Sequence, residues 1–230
     1  MQTPVRIESR YYEICELTQR DVPGLAALHI IEQPDGLLSR LGVPIVEGFY
    51  RTLLEDRQNF VGVAVRAKGA DAVVAFCVGL VRVRGLTRYF WGSNPIITGA
   101  RIARRVAIAP SLWRPAALQI FGWCRASARG KPRASEAPEP EHCAILVEIS
   151  CASQYRQQGV GREIVSAWEN RMSARGVGLV RLYVRQSNDD AIRFYRSCGW
   201  KIQREMRNIH SPGYIMTKTL RPVVEPRQSS

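Results

Sequence analysis

The chain has 230 residues, of which 46% are hydrophobic and 23% charged, a balance that excludes a disordered protein and suffices for one globular domain with a full core. No apolar run approaches the roughly 20 residues that cross a bilayer, and residues 1–10 lack the basic, apolar, small-residue order of a secretory leader, so a cytoplasmic protein without an integral membrane segment is expected. The formal net charge of +13 favours a polyanionic ligand but does not choose among nucleic acid, an anionic membrane and a phosphorylated small molecule; arginine far outnumbers lysine, and most of the excess is assigned to a solvated face.

Taken in chain order, residues 6–17 read as a first strand, and Thr18, Asp21 and Pro23 as start signals for a helix through about Ile31. A loop over 33–42, with Leu37, Leu38, Ser39 and Arg40, leads to a second helix over about 44–54 whose apolar face is Val46, Phe49, Tyr50 and Leu53. Residues 60–65 and 73–83 read as two strands joined by turn residues at 68–71. A basic segment follows over about 86–142, with Arg101, Arg104, Arg105, Trp113, Arg114, Phe121 and Trp123. Helices are expected at 97–106 and 115–124. Packing on the sheet is preferred there to an interfacial membrane contact, a homodimer surface is left open, and 126–141 reads as a mobile loop. The last ten residues, 221–230, read as a flexible tail beyond a single domain over 1–220.

Cysteines 15, 77, 124, 143, 151 and 198 form no CxxC pair and no Cys/His ligand spacing, and His29, His142 and His210 are scattered. Reduced, mostly buried thiols and no metal are expected.

Residues 145–161 carry the strongest signal, an apolar run that empties into a glycine-bearing turn and then into an amphipathic helix. From Glu163 onward, Ile164, Val165, Trp168 and Met172 share one face at helical spacing, Arg162, Glu169, Asn170 and Arg175 point elsewhere, and Gly176 stops the helix. The first turn of such a helix has backbone N–H groups without partners and the positive end of the dipole, so an anion is stabilised there without a cationic side chain. Gly159 and Gly161 remove the Cβ atoms that would block close approach, and Arg156 and Arg162 stand ready to share a pyrophosphate's charge. A tight strand-to-helix turn that binds nothing is the competing reading. Downstream, 179–184 alternates as a strand before Asn188, Ala191, Phe194, Tyr195, Gly199 and Trp200 in the order NDDAIRFYRSCGW.

Over about residues 144–218 this succession resembles the GNAT acetyltransferases: a strand, an Arg/Gln-x-x-Gly-x-Gly/Ala turn (Arg156, Gly159, Gly161), a helix, a strand, then Asn-x-x-Ala-x-x-Phe-Tyr (Asn188, Ala191, Phe194, Tyr195) before a Gly-aromatic pair. The resemblance implies an α/β (α+β) fold whose central mixed, mostly antiparallel sheet is flanked by helices, with a splayed parallel strand pair that binds CoA. It implies acetyl transfer from acetyl-CoA to a primary amine by direct attack, without a metal. Backbone groups at Ile149 and Cys151 would lie along the pantetheine arm. The turn Arg156, Gln157, Gln158, Gly159, Val160, Gly161 and Arg162 would hold the pyrophosphate, and Asn188 would touch the cofactor arm, although as a helix cap it would look the same. Tyr195 matches the general acid that reprotonates the leaving thiolate, with a packed aromatic as the plain alternative. A cysteine nucleophile at 151 is the weaker reading, since no histidine stands beside it in sequence.

No fixed base belongs to the family. Glu148, read as lying on the face opposite Val147 and Ile149, is the catalytic candidate; a buried ion pair or a solvated strand carboxylate is the alternative. His29 and Glu47 are further options. Ser153 stands where many relatives have proline, and Trp200 where phenylalanine is commoner. The loop over 33–42 would border the acceptor pocket, and the 86–142 segment would cover or reshape it. A small-molecule amine, including an amino sugar or its nucleotide, is the acceptor expected. A protein amine and a non-catalytic module holding CoA or a nucleic acid are the alternatives, with nucleic acid the less favoured because the turn and Tyr195 are both intact.

Overall fold

The computed structural model describes residues 7–8, 12–69, 72–82, 89, 95–108, 143–206 and 212–221. The expected helix at 115–124, the loop at 126–141, Trp113, Arg114, Phe121, Trp123, His142, His210 and the tail from 222 onward lie outside the described residues.

Strands β1 (Ile7–Glu8) and β2 (Tyr12–Glu16) stand where one strand was expected over 6–17. They are antiparallel, with Ile7 opposite Ile14. The neighbouring strand β3 (Phe60–Ala67) ends at Ala67, which already pairs with Tyr12, so the chain before Tyr12 has nothing to pair with on that side and folds back onto β2. Helix α1 (Val22–Glu32) starts after a single 3-10 turn, as the start signals indicate. The Asp21 carboxylate accepts the Thr18 N–H at 2.7 Å and its hydroxyl at 2.8 Å, and the Arg66 guanidinium forks onto it from β3.

The loop expected over 33–42 contains a five-residue helix, α2 (Leu37–Leu41), because Leu41 can bury against Ile45 of the next helix, α3 (Val43–Glu55). Strand β4 (Val73–Leu80) completes the expected hairpin with β3. Helix α4 (Pro95–Ile108) fills the expected 97–106 helix but packs on α2 and α3 rather than on the sheet: Ile102 is buried with Leu41 and Ile45, while Ile96 and Ile97 remain exposed. After β5 (Cys143–Cys151) come α5 (Val160–Ala174), β6 (Leu179–Arg185), α6 (Asp189–Ser197), β7 (Lys201–Met206) and β8 (Gly213–Thr219).

The eight strands among the described residues form one sheet in the order β1-β2-β3-β4-β5-β6-β8-β7. Among the described strands the one parallel pair is β5 and β6, and it is short: Cys143 pairs with Leu179, Ala144 with Val180 and Ile145 with Arg181, after which the pairing stops. The remainder of β5 stays bonded to β4 as far as Cys151. A gap therefore opens between β5 and β6 toward their C-terminal ends, where ligands bind in open α/β sheets.

Each face of the sheet carries its own core. One buries Ile164, Trp168 and Met172 of α5 with Tyr195 and Trp200, the other Leu25 of α1 with Phe49, Tyr50 and Leu53 of α3. Glu169 does not point away from the first core as its helical position suggests. It is buried, and its carboxylate accepts the Trp200 indole N–H at 2.9 Å and the Lys218 ammonium at 2.6 Å, which also donates to the Cys198 carbonyl at 2.7 Å. The tryptophan that replaces the commoner phenylalanine at 200 thus supplies a donor that a buried carboxylate uses. Removing one partner strands the other charge, so Glu169→Ala is expected to lower the unfolding free energy by about 3–5 kcal/mol. Urea denaturation reads this directly, and an unchanged midpoint would mean that the cluster does not stabilise the fold.

Candidate active site

The site is assembled around the C-terminal half of β5. Register between β4 and β5 slips once, where Val78 pairs with Glu148 but Gly79 pairs with Leu146, leaving Val147 as an extra residue in a β-bulge. Below the slip, Ile145 and Val147 pack on the α1/α3 face and Ala144 and Leu146 on the α5 face; above it, Ile149 and Cys151 pack on the α5 face. Glu148 is therefore opposite Ile149, as expected, but shares its face with Val147, contrary to simple alternation. The bulge turns its carboxylate toward α1, where Glu148 Oε1 accepts a hydrogen bond from Gln33 Nε2.

Burial raises the Glu148 carboxyl to about 8, against which the Gln33 hydrogen bond acts in the opposite direction. The side chain is nonetheless only half-buried by surface area. Its second oxygen, Oε2, has no partner among the described residues and is not sealed from solvent. Beneath it, Tyr50 Oη and His29 Nδ1 are hydrogen-bonded at 2.7 Å inside the core. Burial holds the His29 imidazole down at about 4, and burial first, then the Glu148 charge, pushes the Tyr50 phenol up. His29 is thus neutral near pH 7, with Nδ1 occupied by Tyr50. Glu47 pairs with Arg51 at 3.7 Å on α3. His29 thus has its Nδ1 taken inside the core, and the Glu47 carboxylate faces a cation on its own helix.

Beside this carboxylate lies the gap in the sheet. Ala152 donates its N–H to Val74 of β4 at 2.8 Å. Successive amides along a strand point to opposite sides, so those of Cys151 and Ile149 face away from β4, into the gap. Burial pushes the Cys151 thiol up despite nearby Arg156, which disfavours the thiolate that a nucleophile needs.

At the end of β5 the chain makes the turn into α5. Gln157 has φ 61 and Gly159 φ 86, both left-handed, and glycine takes that conformation without strain. The amides of Gln157, Gln158, Gly159, Val160 and Gly161 donate to no acceptor among the described residues, whereas those of Arg162 and Glu163 close on the Gly159 carbonyl. Five free N–H groups at the positive end of a fifteen-residue helix make a chemically suitable seat for a pyrophosphate. The two glycines differ in purpose: a Cβ on Gly161 would meet the Phe194 ring at 3.2 Å, so Gly161 serves the approach of α6 to α5 rather than that of a ligand. Arg156 is engaged within the protein, its Nε donating to the Cys151 carbonyl at 3.0 Å and its terminal nitrogen pairing with Glu32, while Arg162 reaches Ser197 Oγ at 3.4 Å. An anion seated here would be held by backbone amides rather than by guanidinium groups.

Tyr195 comes from α6, whose N-cap is Asn188; the Asn188 side chain accepts the Ala191 N–H at 3.1 Å. The phenol is almost wholly buried, packed with Phe194 and Trp200. Its pKa is driven upward by burial and then by Cys77, Glu148 and Cys198, so it stays protonated across the working pH range. No partner holds its hydroxyl among the described residues, yet the oxygen is not sealed in. The structure thus gathers Glu148, the Ile149 and Cys151 amides, the turn at 157–161 and Tyr195 around one gap. Gln33, Glu32 and Tyr50 belong to the same surroundings and were not singled out in the sequence. Gln33 offered only its position at the edge of the loop 33–42, and Tyr50 looked like a plain member of an apolar face.

A mixed sheet with a splayed parallel pair, and an amide-lined turn opening a helix at its mouth, form an arrangement chemically suited to an acyl-CoA. Residues 104–200 match the model of the acetyltransferase (GNAT) family. Similar solved structures include the ribosomal-protein-S18-alanine N-acetyltransferase of Escherichia coli, with 18% identity, TM-score 0.52, and 95% of this chain and 99% of that one covered. The ribosomal-protein-S5-alanine acetyltransferase of Vibrio fischeri is 11% identical at TM-score 0.55, covering 94% and 97%. The PaiA N-acetyltransferase of Thermoplasma acidophilum in complex with coenzyme A is 14% identical at TM-score 0.52, covering 90% and 98%. At these identities the likeness is one of fold. No curated protein matches the sequence significantly. Over residues 104–200 the chain is thus similar to the GNAT acetyltransferases, and its fold is that of the N-acetyltransferases of known structure. Among the described residues no helix is long and apolar enough to cross a membrane, and no His, Cys, Asp and Glu cluster is suited to a metal ion.

Proposed function

We propose that the protein acetylates a primary amine with acetyl-CoA by direct attack, with Glu148 as general base and Tyr195 as general acid. The observation that carries this reading is the pairing of two unlike groups across the gap: a carboxyl raised to about 8 with one open oxygen, and a phenol kept protonated by burial. Groups whose environments separate them in this way suit opposite proton transfers. Acetyl-CoA, when bound, supplies the activated thioester. Ionised Glu148 takes a proton from the acceptor's ammonium, leaving a neutral amine lone pair, and the Cys151 amide points where a developing oxyanion needs a donor. Tyr195 Oη gives up its proton to the departing sulfur.

A small-molecule amine remains the acceptor class proposed, with amino sugars first in a screen. The names of the S18 and S5 relatives make an alanine-terminated peptide the second class to test. Calorimetric titration of acetyl-CoA at physiological salt, with inorganic polyphosphate as the charge control, tests the cofactor site: saturable one-site binding that polyphosphate does not reproduce is expected, and heat equal to the control would remove the proposal. Tyr195→Phe is expected to lower turnover by about 10–100-fold while acetyl-CoA affinity changes by less than about twofold. Unchanged turnover in that variant would take Tyr195 out of the mechanism.

A further inference from the structure

The last residues of α1, Glu32 and Gln33, reach across to the strand and turn that form the site. Gln33 is the C-cap of α1, its backbone N–H donating to the His29 carbonyl at 2.9 Å, which anchors its Cα and leaves the side chain free to extend. That side chain gives its Nε2 hydrogen to Glu148 Oε1. Next to it, Glu32 accepts the Ser153 N–H at 3.2 Å and pairs with Arg156. One helix end thus grips β5 at Glu148 and the chain again just beyond Cys151. The bulge at Val147 brings Glu148 to this face, but a half-buried carboxylate on a strand has rotamers to choose from, and Gln33 selects one.

We propose that Gln33 is the positioning residue for the general base: by holding Oε1 it presents Oε2 to the acceptor amine and keeps the carboxylate ready to ionise. This rests on the assignment of Glu148 as base. A primary amide suits the task because it offers a donor without a charge. A lysine there would pair with the carboxylate and compete with the incoming ammonium, and a glutamate would repel it. The hydrogen bond favours the ionised form, opposing the larger effect of burial.

The test is the pH profile of kcat/KM for wild type, Gln33→Met, Gln33→Asn and Glu148→Gln, with acetyl-CoA binding measured alongside. Methionine keeps the length and flexibility of the side chain without its donor. Gln33→Met is expected to move the alkaline rise upward by about one pH unit, costing about tenfold at pH 7 and little above pH 9.5, with acetyl-CoA affinity unchanged. Gln33→Asn, shorter but still a donor, is expected to fall between. A uniform loss at every pH, or no loss, would overturn the positioning role while leaving Glu148 as base, provided that Glu148→Gln abolishes the rise. Should the rise survive in Glu148→Gln, the base assignment itself fails and the role of Gln33 with it.

Discussion

Glu148→Gln is expected to lower kcat/KM by about 10²–10³-fold at pH 9 and to erase its pH dependence between 6 and 9. The direction follows from the raised carboxyl. A base must be ionised to accept a proton, and with the Glu148 carboxyl at about 8 in the free protein the wild-type kcat/KM should climb with unit slope below that pH and level off above it. Stability runs the opposite way. The folded state holds this proton up to about pH 8, whereas an exposed glutamate releases it near 4.5. The folded state therefore binds more protons between those values, and this group's contribution to stability is present below pH 4.5 and lost as the pH rises through about 8. Glu148→Gln should accordingly be at least as stable as wild type at pH 8 while being far less active. Following thiol release from pH 6 to 10 beside thermal melts at the same pH values checks both. A glutamine variant that kept the wild-type profile would exclude Glu148.

Gly159→Val is expected to weaken acetyl-CoA binding at least about 100-fold. At φ 86 a β-branched side chain is strained whatever the space around it, and the nearest atom to a new Cβ, Glu163 Oε1 at 4.0 Å, shows that crowding is not the cause. Relief of the strain requires the peptide planes on either side to rotate, which scatters the amides of residues 157–161. Calorimetry reads the loss, and a melting temperature close to wild type separates it from unfolding. A folded variant that bound acetyl-CoA normally would refute the turn as the pyrophosphate seat. The other turn glycine provides an internal contrast, because Gly161 faces the Phe194 ring and its substitution disturbs α6 before it disturbs a ligand.

Local signals were legible wherever a short stretch must solve its own problem. The strand, turn and helix around 145–174, the Asn188 cap and the Thr18–Asp21 helix start all satisfy backbone groups within a few residues, so spacing alone exposed them. The acetyltransferase fold was legible for the same reason, since its two motif halves lie within one stretch of chain and match the family over 104–200. The two-strand edge at β1 and β2 was not legible, because it depends on where β3 ends. The burial of Glu169 was hidden because a helical wheel sees polarity, whereas its partners Trp200 and Lys218 arrive from 31 and 49 residues away.

For the site the division is sharper. From the sequence came the turn and the two residues proposed for proton transfer, Tyr195 and Glu148. Which way that carboxylate points was decided by a bulge that exists only because β5 pairs with β4 out of step, and what holds it was decided by Gln33, 115 residues earlier in the chain. A period of two along a strand predicts a face only while the ladder is regular. A hydrogen bond between distant elements leaves no periodicity at all, so it becomes visible only once the sheet has brought α1 over β5.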